Sequence, residues 1–236
     1  MKDFSLTVVL AILLAILLAI SQFAWAGIAD NLTGNVSLSS NYAYRGVSRP
    51  GSNQVLFGNL EYVSERGLYG GVWIGNYKTL WSTETDTETD LYFGFNHDLT
   101  FGHSIDTSVW RGTYDQKTTR DYDWVEWQIN YHYHDRWGFM FALADNLYGS
   151  DQRSAVAELS FAHQTNRLSL VISVGNQQFD SQYLSDVNYL HTRVSVDWRN
   201  WHLFLDSSLT DRKSDSAMFS RNWQRQSNGI GLAYTF

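Results

Sequence analysis

From Val125 to Tyr133 the chain alternates without a break: Val125, Trp127, Ile129, Tyr131 and Tyr133 on one side, Glu126, Gln128, Asn130 and His132 on the other. A period of two sends successive side chains to opposite faces of an extended strand, so this stretch predicts a strand with one oily and one polar face. The same dyad recurs along the chain. Leu91, Phe93 and Phe95 oppose Asp90, Tyr92 and Asn96, and Phe139, Phe141 and Leu143 oppose Met140, Ala142 and Ala144. Ala155, Ala157, Leu159 and Phe161 oppose Glu158 and Ser160, and Leu168, Leu170, Ile172 and Val174 oppose Ser169, Val171, Ser173 and Gly175. Leu190, Thr192, Val194, Val196 and Trp198 point away from His191, Arg193, Ser195 and Asp197, while Trp201, Leu203 and Leu205 oppose His202, Phe204 and Asp206. Ile230, Leu232, Tyr234 and Phe236 close the series against Gly229, Gly231, Ala233 and Thr235.

Four segments are less regular. Val36 and Leu38 lead towards Tyr42 and Tyr44, with Ser37, Ser39, Asn41 and Arg45 on the other face, and Leu60 and Tyr62 oppose Asn59 and Glu61. Leu68 to Tyr77 is apolar on both faces and takes no assignment. Between Ile105 and Thr113 the phase turns Arg111 outward, which calls for a bulge or a position at an interface.

The connections alternate in length. Those at Ser64 to Arg66, Asp98 to Gly102, His134 to Arg136, Gln164 to Arg167 and Arg199 to Asn200 are tight. Those at Val47 to Asn53, Lys78 to Thr87, Asp115 to Asp123, Gln178 to Asn188 and Thr210 to Gln226 are long, and Asn146 to Arg153 is intermediate. Short turns at one end and long loops at the other predict an up-and-down antiparallel sheet with an even number of strands, about twelve.

Which face is oily separates two all-β architectures. A soluble sandwich or ligand-binding barrel hides its apolar face, whereas a membrane barrel shows it to lipid and gathers aromatic rings near the strand ends. The bulky rings near the strand ends here favour the second: a closed antiparallel up-and-down transmembrane β-barrel. The final strand agrees, since an unpaired edge in hydrocarbon leaves backbone groups unsatisfied. Phe236 and Tyr234 are therefore expected to be the assembly signal that the barrel-assembly machinery reads.

Leu6 to Ile20 is apolar apart from Thr7, is preceded by Lys2 and is followed by Ser21, Gln22 and Ala24-Trp25-Ala26. This predicts a signal peptide over 1–26, export through the Sec pathway and a barrel over 27–236. The run is shorter than the roughly 20 residues that a spanning helix needs. There is no cysteine and a single proline, Pro50, so a closed hydrogen-bonded sheet has to supply what disulfides often supply in exported proteins. Twenty-four acidic residues against 17 basic ones give a net charge of −7, which argues against nucleic acid as a partner.

The stretch from Asn35 to Tyr77 carries a Tyr-x-x-Arg-Gly ending to the first strand, at Tyr42 to Gly46. It also carries Leu60-Glu61-Tyr62 and a Gly-x-Tyr-x-Gly-Val-Trp-like strand from Gly67 to Trp73. Glu88 to Phe95 adds an acidic Leu-Tyr-x-Gly-aromatic block. These blocks resemble the TorF-like porin family of Gram-negative bacteria, with Asn41 where that family's pattern carries an aspartate. The resemblance implies an outer-membrane barrel that acts as a porin.

If the faces are as read, the lumen holds Arg45, Glu61, Glu88, Asp90, Asp106, Glu126, Glu158, Arg193, Asp197 and Asp206. Charges of one sign in a narrow pore focus the field, so this acid-rich set predicts weak cation preference and passive passage of small hydrophilic solutes. Two other readings stay open. The carboxylates can pair with Arg45, Arg193 and the histidines to plug the barrel, leaving a structural or adhesion barrel without transport. Alternatively His132, His191 or His202 can serve a hydrolase, with Ser195 between Arg193 and Asp197, though no Gly-x-Ser-x-Gly accompanies them.

His132 and His134 share a strand face at a tight turn but lack further metal ligands, and Glu84 to Asp90 reads as a solvated loop without the glycine turn of a calcium site. No cofactor is expected. The expected partners are small solutes, outer-membrane lipid and lipopolysaccharide, the last through arginines such as Arg221 and Arg225 beside Met218, Phe219 and Trp223 in the longest loop.

Overall fold

An extended chain satisfies its backbone only by pairing sideways, and an open sheet always leaves two bare edges. The computed structural model describes residues 31–45, 47–48, 55–78, 85–115, 123–146, 153–180, 186–211 and 226–236, and in it the pairing runs all the way round. The strands are β1 (Leu32–Ser39), β2 (Ala43–Tyr44), β3 (Val47–Ser48), β4 (Val55–Val63), β5 (Leu68–Lys78), β6 (Thr85–Asp98) and β7 (His103–Tyr114), followed by β8 (Trp124–Tyr133), β9 (Trp137–Asp145), β10 (Arg153–Gln164), β11 (Leu168–Phe179), β12 (Val187–Trp198), β13 (Trp201–Thr210) and β14 (Gln226–Thr235). β1 and β4 to β14 make a closed antiparallel barrel of twelve strands, each bonded to its sequence neighbours, with β1 bonded to β14. β2 and β3 form a separate two-stranded hairpin. The proposed signal segment, 1–26, lies outside the described residues, as do Met218, Phe219, Arg221, Trp223 and Arg225.

Exposure fixes which face is which. Leu91 and Phe93 are 60% and 62% exposed, while Tyr92 between them is 7% exposed. Register carries that phase round the wall: Leu91 pairs with Arg111, Arg111 with Val125, Val125 with Asp145 and Asp145 with Arg153. Arg111 thus faces outward with no bulge at its place in the ladder, close to the long-loop end. It belongs to a polar collar there, with exposed Asp145, Arg153, Gln178, Asn188, Gln226 and Asn228. At the short-turn end the outer collar is aromatic instead. Tyr62, Phe95, Tyr131, Tyr133, Trp137, Trp198, Trp201 and Tyr234 are all exposed, and the rings of Trp201 and Tyr234 sit 4.8 Å apart.

Two boundaries differ from the expectation, and one unassigned stretch gains an assignment. The first strand stops at Ser39, so Tyr42, Tyr44 and Arg45 do not continue it. The unassigned Leu68 to Tyr77 region resolves into inward Tyr69 and Trp73 and outward Leu68, Val72 and Ile74, because Trp73 pairs with Asn59 and Asp90 while Val72 pairs with Leu60 and Leu91. The acidic stretch expected as a loop is already strand from Thr85 onward.

Inward aromatic rings need room in a curved wall, and glycines supply it. Tyr69 lies over Gly94, Tyr92 over Gly71, Trp124 over Gly112, Tyr189 over Gly175 and Phe204 over Gly231, and in each pair ring and glycine are direct cross-strand partners. A Cβ at any of these glycines would occupy the ring's place. The ring in turn covers backbone that a glycine leaves bare, the device known from edge glycines as aromatic rescue.

The seam closes between β1 and β14, where Asn35 to Ser39 pair with Thr235 to Gly231. Beyond that ladder Gly34 and Phe236 exchange two backbone hydrogen bonds, at 3.0 and 2.9 Å. The Phe236 ring lies against Gly34, where a Cβ would collide with it. Gly34→Val should therefore weaken closure by about 1–3 kcal/mol. Gly70→Val should cost far less, since its Cβ would meet Tyr92 O at 3.3 Å and Phe93 Cδ2 at 3.5 Å. Urea midpoints of the two refolded variants, read by tryptophan fluorescence, check the difference.

Candidate functional site

The interior divides into two unlike halves. At the long-loop end it is packed, and the packing begins where β1 stops. Ser40 donates to the Ile230 carbonyl at 2.9 Å, Ser39 Oγ donates to the Asn41 carbonyl at 2.6 Å, and the Asn41 side chain bonds Ser227. These contacts turn the chain off the wall and into the lumen. There Tyr44 pairs with Val47, so only Arg45 and Gly46 separate the strands of the hairpin. A two-residue turn favours positive φ, and Arg45 stands at φ 50°. Tyr42 packs on Phe57 and Trp73, with ring centroids 5.6 and 5.8 Å away, and β3 lies against β13.

Arg45 then reaches across to β8. Its Nη1 donates to Glu126 Oε2 at 2.5 Å and its Nη2 to Oε1 at 2.6 Å, a two-pronged pair whose side chains are 5% and 0% exposed. Glu126 also accepts from Gln128 Nε2 at 2.5 Å and from the Tyr44 hydroxyl at 3.4 Å. The guanidinium lies 4.7 Å from the centre of the Tyr44 ring. Every oxygen of this buried carboxylate is thereby engaged, which is what allows a charge to sit out of water.

Around the hairpin the rings and the acids interleave. Val55, Tyr114, Trp124, Ala144, Phe179 and Val187 form a buried cluster, flanked by Tyr42, Tyr44, Phe57, Trp73 and Trp110. Glu88 is inside this cluster and accepts from the Tyr114 hydroxyl at 2.7 Å and from Trp124 Nε1 at 3.0 Å. Asp90 is buried beside it. Of the ten charged lumen residues expected, Arg45, Glu88, Asp90 and Glu126 thus lie in packed surroundings, and Arg45 is carried by the inward hairpin and not by a wall strand.

The remaining six, Glu61, Asp106, Glu158, Arg193, Asp197 and Asp206, are inward and only partly covered or exposed. Asn130 donates to Asp106 at 3.0 Å and the Tyr189 hydroxyl donates to Glu158 at 2.6 Å. Arg193 holds Asp206 with two bonds, at 2.7 and 2.9 Å, and His191 stands 3.3 Å from the same carboxylate. Among the described residues, this half of the lumen sets Glu61, Asp106, Glu158, Asp197 and Asp206 against the guanidinium of Arg193.

The histidines fall differently from the expectation. His202 Nδ1 is 2.7 Å from Asp197 Oδ1, and its Nε2 is 3.1 Å from Thr235 Oγ1, so its partners are Asp197 and Thr235, with Asp206 left to Arg193 and His191. Ser195 meets Ser169 at 2.5 Å. Asp197, His202 and the Thr235 hydroxyl thus stand in line across β12, β13 and β14 beside the seam. The amide of Thr235 donates to the Asn200 carbonyl, and its own carbonyl accepts from Asn200 Nδ2. His132 and His134 do not share a face, because β8 ends at Tyr133 and His134 turns away at φ 51°, its ring tilted against that of Tyr133 with centroids 4.3 Å apart.

The inward hairpin is what reading the strands alone missed. Its signal is local: a residue pair ending in glycine, Arg45-Gly46, between two short alternating stretches, the mark of a tight hairpin.

Against solved structures the chain is similar to the "KdgM porin in complex with disordered oligogalacturonate", at 7% identity and a TM-score of 0.55, covering 87% of this chain and 98% of that one. It is similar to the NanC porin at 8% identity and a TM-score of 0.56, covering 85% and 98%. It is also similar to an outer membrane channel from Pseudomonas putida F1, at 12% identity and a TM-score of 0.51, covering 86% and 94%. Identities this low speak for a shared fold alone, the closed barrel of outer-membrane proteins. No curated protein sequence matches the chain. A family model described as "Bacterial protein of unknown function (Gcw_chp)" matches residues 25–228, most of the chain, and the protein belongs to that family.

Proposed function

We infer that the protein is a channel of the Gram-negative outer membrane, a narrow porin-like pore that passes small hydrophilic solutes passively and prefers cations weakly. The observation that carries this reading is the sidedness of the wall. Large apolar side chains are exposed all round the outside, and Glu61, Asp106, Glu158, Asp197 and Asp206 line an only partly covered interior. An apolar belt with an aromatic collar fits a bilayer, and an acid-rich bore attracts cations. The TorF-like resemblance and the porins among the similar folds support the same conclusion. Under it the short turns face the periplasm, the apolar start of the chain directs export through the Sec pathway, and Tyr234 and Phe236 present the last strand to the assembly machinery. The outward Arg111 and Arg153 lie at the height where lipopolysaccharide phosphates would sit.

A closed structural barrel is the second reading, and the inward hairpin favours it, because rings and ion pairs crowd the long-loop half. Single-channel recording on refolded protein in planar bilayers separates the two. The channel reading expects small, steady conductance with a reversal potential on the cation side in a salt gradient. Folded protein without conductance would leave the closed barrel. Replacing Glu61 by Gln and Asp106 by Asn together should lower the cation-to-chloride permeability ratio about twofold to threefold, since two charges leave the open half of the bore.

A further inference from the structure

We propose that the outer wall of β12, β13 and β14 is a self-association surface on which a second copy of this chain docks within the membrane; the inference rests on the membrane placement in the reading above and not on conductance. Three polar side chains mark the surface. Thr192 pairs with Ser207 and Ser207 with Asn228, so the three stand side by side on neighbouring strands. They share the outward phase of Leu190, Val194, Leu205, Leu209 and Ile230, all of which are exposed. The row descends from the polar collar at Asn228 into the apolar belt. There Ser207 has Leu205 and Leu209 beside it along β13, and Thr192 has Leu190 and Val194 beside it along β12.

Polar groups elsewhere on the outer wall find partners within the chain. On β7 the Thr107 hydroxyl donates to the Gln128 carbonyl at 3.2 Å, and the Thr113 hydroxyl donates to the Thr89 carbonyl at 3.0 Å. Thr192, Ser207 and Asn228 make no side-chain hydrogen bond among the described residues. In hydrocarbon a polar group without a partner is costly, and polar side chains there bond across to a neighbouring protein.

What fits the row is another such row. Each hydroxyl and the Asn228 amide can both donate and accept, so the surface complements itself. A twofold axis along the membrane normal keeps the short turns of both barrels on one side and brings every residue to the height of its counterpart, with Ser207 in the middle. The outward positions of β12 to β14, from Asn188 to Trp198, Trp201 to Leu209 and Gln226 to Tyr234, carry no charge, so two copies meet without repulsion. The opposite side of the barrel is unlike this, since β7, β9 and β10 turn Arg111, Asp145 and Arg153 outward.

The chain has no cysteine, so a single introduced thiol reports the contact. Ser207→Cys and Val109→Cys, the latter on the exposed outer wall of β7, are refolded into phosphatidylcholine vesicles at a low protein-to-lipid ratio and treated with a short bis-maleimide. The heat-dependent gel shift of folded barrels confirms folding. Ser207→Cys should give a covalent dimer and Val109→Cys should stay single. The triple variant T192V/S207A/N228L should weaken association on the order of tenfold, read by sedimentation equilibrium in detergent micelles beside the wild type. Folded Ser207→Cys that cross-links no more than Val109→Cys, or a triple variant that associates as strongly as the wild type, would overturn the docking surface and leave the channel reading standing. A wild-type chain that does not fold into vesicles at all would overturn both.

Discussion

Everything in this molecule depends on one constraint: the backbone of each wall strand has to find its partners sideways, and the first and last strands have to find each other. The pairing of Asn35 to Ser39 with Gly231 to Thr235 and the two Gly34–Phe236 bonds meet that demand. Closure removes both edges at once, and in hydrocarbon an edge is a row of unsatisfied groups. It also defines inside and outside, so a simple alternation of residues becomes a partition between two environments. Phe236 is part of this closure in a material sense, because its ring fills the space beside Gly34 that any larger residue would claim.

The partition is not oil outside and water inside. The outer wall is apolar through most of its height but ends in rings at the short turns and in polar groups at the long loops. The inner wall carries rings as well, among them Tyr69, Tyr92, Trp124, Tyr189 and Phe204. Each ring laid over its cross-strand glycine keeps close to the wall, and the bore is narrowed by a layer one ring thick. Where the hairpin enters, it takes up part of that space, and Glu88 and Glu126 become parts of a packed interior held by hydroxyl, indole, amide and guanidinium donors. A carboxylate can sit there because its oxygens are engaged, so burial and hydrogen bonding come as a pair.

How much of this is legible in residues alone follows from what period two can encode. The phase from Val125 to Tyr133 gives both faces of β8, and the spacing of tight and long connections gives an even strand count near twelve. Both depend only on neighbours in sequence. Leu68 to Tyr77 defeats the same reasoning, because Tyr69 and Trp73 are apolar residues turned inward, and only the register with Gly94, Asn59 and Asp90 shows it. Tyr42 to Arg45 keeps a strand's alternation beyond Ser39, yet the ladder has ended, and alternation does not record whether a partner strand exists. The histidines show the same limit. His202 faces the same way as Asp206, but the pairing of Asp197 with His202 across the Arg199–Asn200 turn brings those two side chains together instead.

The position of the hairpin follows from the uneven height of the wall. β1 ends at Ser39, opposite Val55 on one side and Gly231 on the other, whereas β14 continues five residues further, to Gln226, and β6 is fourteen residues long. The wall is therefore low where the chain leaves β1, with the inward faces of β4 and β5 beside it and that of β8 across the bore. A segment released at that point either stands in solvent with Tyr42 and Tyr44 exposed or folds over the low rim on to Phe57 and Trp73. Ring burial favours the second course, and the tight turn then delivers Arg45 to the one carboxylate that Gln128 and Tyr44 also reach. The apolar rings bring the segment in, and the ion pair determines where its tip comes to rest.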